Sequence, residues 1–136
     1  MTDDEASQTD RSLSAEIKLY YDVQTPAVTP APLLIALHGY GASKRQMMRE
    51  ARQVAPSSFA IAALQGFHQH MKEPKETGGP LRFGFGWLTN FKPEDSVAIH
   101  HRALIHLIDT LTAERIADRK RVFLRRAGER GVEARP

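Results

Sequence analysis

His38, Gly39, Tyr40 and Gly41 are the residues whose types and spacing best suit chemistry. They follow the apolar run 33–37 and precede Ser43, which is placed to cap a helix. Gly39 and Gly41 permit a sharp turn that leaves backbone N–H groups open at the carboxyl end of a strand. Open α/β sheets hold their ligands there. A plain strand-to-helix corner uses the same residue types. A second candidate is the aromatic group Phe83, Phe85, Trp87 and Phe91, set around Gly84 and Gly86. Such a loop either walls a substrate groove, with Trp87 against the ligand, or packs as core.

Several chemistries lack their residues. With no cysteine in the chain, disulfides, thiolate metal sites and a cysteine nucleophile are excluded. His100, His101 and His106 are one, five and six residues apart. Ligands on one helix face need separations of three or four, so no metal site is expected. No G-x-S-x-G occurs, and the nearest stretch, Gly41-Ala42-Ser43-Lys44-Arg45, lacks the second glycine. His-Gly-Tyr-Gly-Ala-Ser is not the G-x-G-x-x-G of a nucleotide loop either.

The elements that would position the glycine loop are legible from hydrophobic period. Residues 13–23 alternate, with apolar Leu13, Ala15, Ile17, Leu19, Tyr21 and Val23 at every odd position, which predicts a half-buried strand. Pro26, Pro30 and Pro32 mark a loop. Runs 33–37 and 59–64 are continuously apolar, as in parallel strands covered on both faces. Between them, Ser43 and Gln46 form a capping-box pair that opens a helix over 44–55, presenting Met47, Met48, Ala51, Val54 and Ala55 at helical spacing. Strand, helix and strand make a βαβ unit.

Residues 68–80 are polar and read as a surface excursion. A long helix begins at Pro93, Glu94 and Asp95 and ends between 112 and 118, with Val97, Leu104, Ile105, Ile108 and Leu111 as its buried stripe. A last strand, starting at Arg121, is expected to stop before Arg125 and Arg126.

The chain of 136 residues suits one domain. Its net charge is +3, but the last twelve residues carry two of those charges, so the body offers no basic stripe for nucleic acid. Residues 1–12 are polar, acidic and without an apolar segment. They predict a disordered tail rather than a leader or anchor. No apolar run approaches the ~20 residues of a membrane span. A cytoplasmic setting is the resulting expectation.

Leu-His-Gly-Tyr-Gly-Ala at 37–42, Phe-Ala-Ile-Ala-Ala-Leu at 59–64, Gly86-Trp87 and the helix around His100-His101 together resemble the phospholipase/carboxylesterase family of α/β-hydrolases. That group includes acyl-protein thioesterase-like enzymes. The resemblance covers about residues 13–124. It implies the N-terminal half of an α/β-hydrolase fold, a mostly parallel sheet with flanking helices, truncated near the nucleophile strand.

The implied substrate is a small-molecule ester or acyl compound, cleaved through an acyl-serine intermediate without cofactor or metal. In such enzymes the loop after the third strand gives one backbone N–H to the oxyanion hole. Carried over, that donor is Tyr40, with His38, Gly39, Gly41 and Trp87 beside the substrate. The nucleophile elbow should come directly after the strand at Arg121, and the acid and base lie further on. None is present. Residues 125–136 are therefore expected to be unstructured, an out-of-frame tail of a GC-rich gene, and the chain an inactive fragment. The alternative is a non-catalytic module that binds an acyl ligand or a protein, with possible pairing through an exposed sheet edge.

Overall fold

The computed structural model describes residues 6–127 and, as backbone, 133–134. Its centre is β2 (Ala31–Leu37), which lies between β3 (Ala60–Leu64) and β6 (Ala117–Arg126), parallel to both. β1 (Tyr21–Gln24) adds antiparallel to β3 and β7 (Glu133–Ala134) antiparallel to β6, giving the order β1-β3-β2-β6-β7. The protein is thus α/β, with a mostly parallel sheet.

β2 is apolar at every position because it has two covers. Leu33, Ile35 and Leu37 pack with Ala60, Ala62 and Leu64 against Leu107 and Leu111 of α2 (Pro93–Ala113). Leu34 and Ala36 pack with Ile61 and Ala63 against Met47, Met48 and Ala51 of α1 (Lys44–Val54). One helix seals each face. α1 starts where Ser43 Oγ accepts the Gln46 N–H at 3.4 Å, replacing a bond that the first helical turn cannot make internally.

The path of the chain creates a reversal. From β2 it passes through α1 to β3 on one side, then returns by way of α2, on the opposite face, to β6 on the other side. The carboxyl ends of β2 and β6, on either side of this reversal, lie at the edge where such sheets usually hold their ligands.

Several expectations are corrected. The strand expected over 13–23 is paired only from Tyr21, because its partner β3 ends at Leu64 and the register Tyr21↔Leu64 closes the ladder. Upstream, Leu19 still packs on the α2 side, whereas Leu13 and Ile17 stay exposed. The excursion expected over 68–80 contains β4 (His68–Lys72), which pairs with β5 (Arg82–Gly86) as a separate two-stranded sheet.

In α2 the buried stripe is Leu107 and Leu111, flanked by Ala103, Leu104 and Ile108. Val97 and Ile105 face outward. Positions 104, 107, 108 and 111 share a face at the three- and four-residue spacing, and Ile105 falls off it.

The last strand also runs on through Arg125 and Arg126, which pair with Ala36 and Leu37. Arg125 is only 5% exposed and tolerates this because its guanidinium meets Glu50 of α1 at 3.1 Å. Within the tail expected to be unstructured, Glu133–Ala134 pairs with Phe123 and Leu124. Expectations for 1–5, 128–132 and 135–136 lie outside the described residues.

The layering predicts unequal responses to truncation. Ile35→Ala, at a buried site of the central strand, is expected to lower unfolding free energy by about 2–5 kcal/mol. Ile17→Ala, in the unpaired N-terminal segment, should change it by less than about 1 kcal/mol. Urea titrations of both variants measure the difference. Equal losses would place the N-terminal segment in the core.

Candidate functional site

The turn after β2 has a defined geometry. Ala42 N–H donates to the Gly39 carbonyl at 3.1 Å, and Gly41 has φ +79° while Tyr40 has no positive φ. This combination is a type II turn, which demands a left-handed residue at its third position and so favours Gly41. The turn then faces β5. Gly41 N–H donates to the Phe85 carbonyl at 3.0 Å, and Phe85 N–H donates to the Ala42 carbonyl at 3.1 Å. A side chain at Gly84 would run into the Gly41 carbonyl, so the contact needs glycine there. One group is left over: the Tyr40 N–H meets no acceptor among the described residues.

Three side chains from outside the turn hold it. The Tyr40 ring, 82% exposed, stacks on His70 at 4.5 Å and 12°. Lys72 Nζ donates to the Gly41 carbonyl at 3.0 Å. Trp87 Nε1 donates to the His38 carbonyl at 2.9 Å, and its ring lies against His38, Phe67 and His100. The structure thus puts Trp87 partly buried beneath the loop, packed on the α2-side core.

His38 is a brace. Its side chain is 3% exposed, and Nε2 accepts the Gly66 N–H at 2.8 Å. Acceptance at Nε2 leaves the ring proton on Nδ1, which reaches the Gly39 carbonyl at 2.8 Å. Both nitrogens are therefore engaged, joining the β2 loop to the segment after β3. Sequence placed His38 beside the substrate. In the structure its ring fixes the shape of the turn that presents Tyr40. Burial pushes its pKa below the ordinary value, against a weaker opposing effect of the bond to the Gly39 carbonyl. Burial, with the neighbouring His101 as the second cause, lowers His100 likewise.

A serine–histidine pair that sequence reasoning missed lies nearby. Ser96 Oγ is 3.3 Å from His68 Nε2 and 3.1 Å from Thr89 Oγ1. Thr89 gives its own proton to the Phe91 carbonyl at 2.7 Å, so it must accept from Ser96. Ser96 then has no proton for His68 and accepts from it instead. That polarity is the reverse of what a general base requires, and Ser96 is only 3% exposed. The pair fastens the start of α2 to β4.

At the carboxyl edge the end of β6 comes against the turn. Leu37 is in register with Arg126, Ala127 N–H donates to the Leu37 carbonyl at 3.0 Å, and a side chain on Gly39 would begin 3.6 Å from the Ala127 methyl. The residue after β6 is thus adjacent to the loop that carries the open Tyr40 N–H. No family model, curated protein or solved structure matches the chain. Among the described residues no helix is long and apolar enough to cross a membrane.

What this arrangement can do chemically is receive a partial negative charge. One unpaired N–H, held by a turn, a hairpin and a buried imidazole, is fixed before any ligand arrives. His70 and Lys72 were missed because 68–80 reads as polar surface. The available signal was the alternation His68, His70, Lys72 opposite Gly86 and Gly84, a polar strand face laid against glycines.

The tautomer of His38 gives a pH signature. The unfolded chain binds a proton at this residue near pH 6.5, and the folded chain does so only at lower pH. The contribution is complete above pH 6.5 and is lost as pH falls through the lowered folded pKa. His38→Gln, whose amide oxygen can still accept the Gly66 N–H, should fold and show a shallower loss of Tm as pH falls below 6.5. An unchanged slope would assign the acid sensitivity elsewhere.

Proposed function

We propose that this chain supplies the oxyanion-binding half of a carboxylic-ester hydrolase of the phospholipase/carboxylesterase type, the N-terminal half of an α/β-hydrolase fold. The observation that carries the reading is the adjacency of Ala127, at the end of β6, to the turn whose Tyr40 N–H is open. In that fold the serine comes after such a strand. The N–H of the residue after it and an N–H from the loop after the neighbouring strand share the developing oxyanion. On this reading the Tyr40 N–H is the second donor, while no G-x-S-x-G occurs in the 136 residues to supply the serine.

The chemistry divides accordingly. Attack by a serine oxygen on an ester carbonyl would move charge onto the carbonyl oxygen, where the Tyr40 N–H can lower the barrier by about 3 kcal/mol. Proton transfer from serine and to the leaving alcohol falls to neither His38, whose nitrogens are both engaged, nor His68, which donates to Ser96. His70 Nε2, beside Tyr40, is the imidazole nitrogen there without a partner among the described residues. Alone, the chain binds rather than cleaves. A second reading, an acyl-binding module without catalysis, rests on the same open N–H and on the exposed Tyr40 ring beside it.

The decisive assay compares the 136-residue chain with a version extended by the polypeptide encoded in the downstream frames of its gene. A short-chain aryl ester is the substrate and a fluorophosphonate the serine label. The expected outcome is turnover and labelling only in the extended protein, with the label on the added segment. Turnover or labelling of the 136 residues alone overturns the half-site reading. An inert extended protein overturns the hydrolase reading.

In the active form, Tyr40→Pro removes the N–H while suiting the second position of a type II turn. It should lower kcat by about 10²–10³-fold. Tyr40→Ala, which keeps the N–H, should stay within about tenfold of the parent. Steady-state kinetics on both variants separates the backbone group from the ring.

A further inference from the structure

Lys72 brings a cationic side chain into contact with the turn. Its Nζ donates to the Gly41 carbonyl and lies 3.6 Å from where a Gly41 side chain would begin, one residue along from the open Tyr40 N–H. An ammonium has three protons, and this bond uses one. No carboxylate lies within ion-pair distance of Lys72 among the described residues, although nearby Lys44 is paired with Asp22 at 2.8 Å. Its position is held by β4, whose residue Lys72 pairs with Arg82, while two residues back His70 stacks under Tyr40. Lys72 therefore brings an unneutralised, partly buried charge to the rim of the candidate oxyanion site.

We infer that the Lys72 ammonium and the Tyr40 N–H form one two-point site, selecting acyl esters that carry a carboxylate a short distance from the ester carbonyl. This inference rests on the ester-hydrolase reading of the loop and names the substrate class within it. Tyr40 N–H takes the ester carbonyl oxygen, and Lys72 takes the carboxylate. The carbonyl that holds the ammonium ends residue 41 and the open N–H begins residue 40, so two residues of backbone, at most about 7 Å, separate the two anchor points, a span for a short spacer. A single ammonium with one amide balances a monoanion. A phosphate dianion is better met by a guanidinium fork, and the Arg82 guanidinium is turned to the Glu73 carbonyl at 3.1 Å.

Two probes of the same skeleton test this: monomethyl succinate, which carries one carboxylate, and dimethyl succinate, which carries none. Each is titrated into the ¹⁵N-labelled 136-residue chain, with the Tyr40 amide resonance as the readout. The expected result is saturable movement of that resonance with the monoester. The diester should need about tenfold higher concentration for the same shift, and added salt should weaken only the monoester.

Lys72→Met should erase the difference between probes and Lys72→Arg should keep most of it, with the rest of the amide spectrum showing both variants folded. Equal responses to both probes in the parent chain, or an unchanged preference in Lys72→Met, overturn the role of Lys72 and leave the hydrolase reading intact. A monoester that moves other amides and not Tyr40 overturns the two-point site. The hydrolase reading itself falls only if the extended protein is inert towards esters.

Discussion

The whole arrangement depends on burying β2 from both sides. A strand with Leu33, Ile35 and Leu37 under α2 and with Leu34 and Ala36 over α1 cannot slip by one residue, because each slip exchanges the two side-chain sets between differently shaped covers. Its neighbours β3 and β6 are parallel and equally committed. The carboxyl end of β2 is therefore fixed in three dimensions before any loop residue acts. His38 and the glycine turn, attached directly to Leu37, inherit that position. Precision at the loop is a consequence of apolar packing beneath it.

A fixed strand end does not by itself fix a turn, and here the polar residues act. His38 sits just beyond the apolar run, where its ring reaches the Gly66 N–H across the ends of β2 and β3. A buried imidazole accepting at one nitrogen and donating at the other removes two orphan backbone groups in one side chain. The hairpin β4–β5 then closes over the turn, with glycine at 84 because the Gly41 carbonyl occupies the space of a side chain. Each of these bonds consumes a backbone or side-chain group of the loop. The Tyr40 N–H escapes all of them.

Much of this was legible in sequence for a simple reason. Buried parallel strands and an amphipathic helix write themselves as runs and periods, so β2, β3, α1 and α2 were all readable, and so was the glycine turn at 38–41. The failures share a cause as well. Leu13 to Val23 alternates well enough for a strand, but pairing length was set by β3, which ends at Leu64. Arg125 and Arg126 looked like a stop, yet Arg125 enters the sheet because Glu50, seventy-five positions away, supplies its charge partner. His70 and Lys72 looked like surface because no local period reveals that a polar strand face will lie on glycines. In each case the deciding partner is distant in sequence, and local pattern carries no trace of it.

The Ser96–His68 pair shows why a site has to be argued from protons as well as distances. Serine and imidazole within 3.3 Å would satisfy a distance search for a nucleophile and its base. The neighbouring Thr89 removes that possibility, because its hydroxyl proton is committed to the Phe91 carbonyl and it can only accept from Ser96. The direction of donation propagates to His68, which becomes a donor. The same reasoning applied to His38 yields a neutral ring with both nitrogens engaged. Two of the histidines closest to the turn are thereby assigned to holding the architecture. Facing it remain two donors, the Tyr40 N–H and the Lys72 ammonium, together with the His70 imidazole, whose Nε2 is buried without a hydrogen-bond partner among the described residues. An amide of the turn and an ammonium bonded to it make this corner attractive to negative charge.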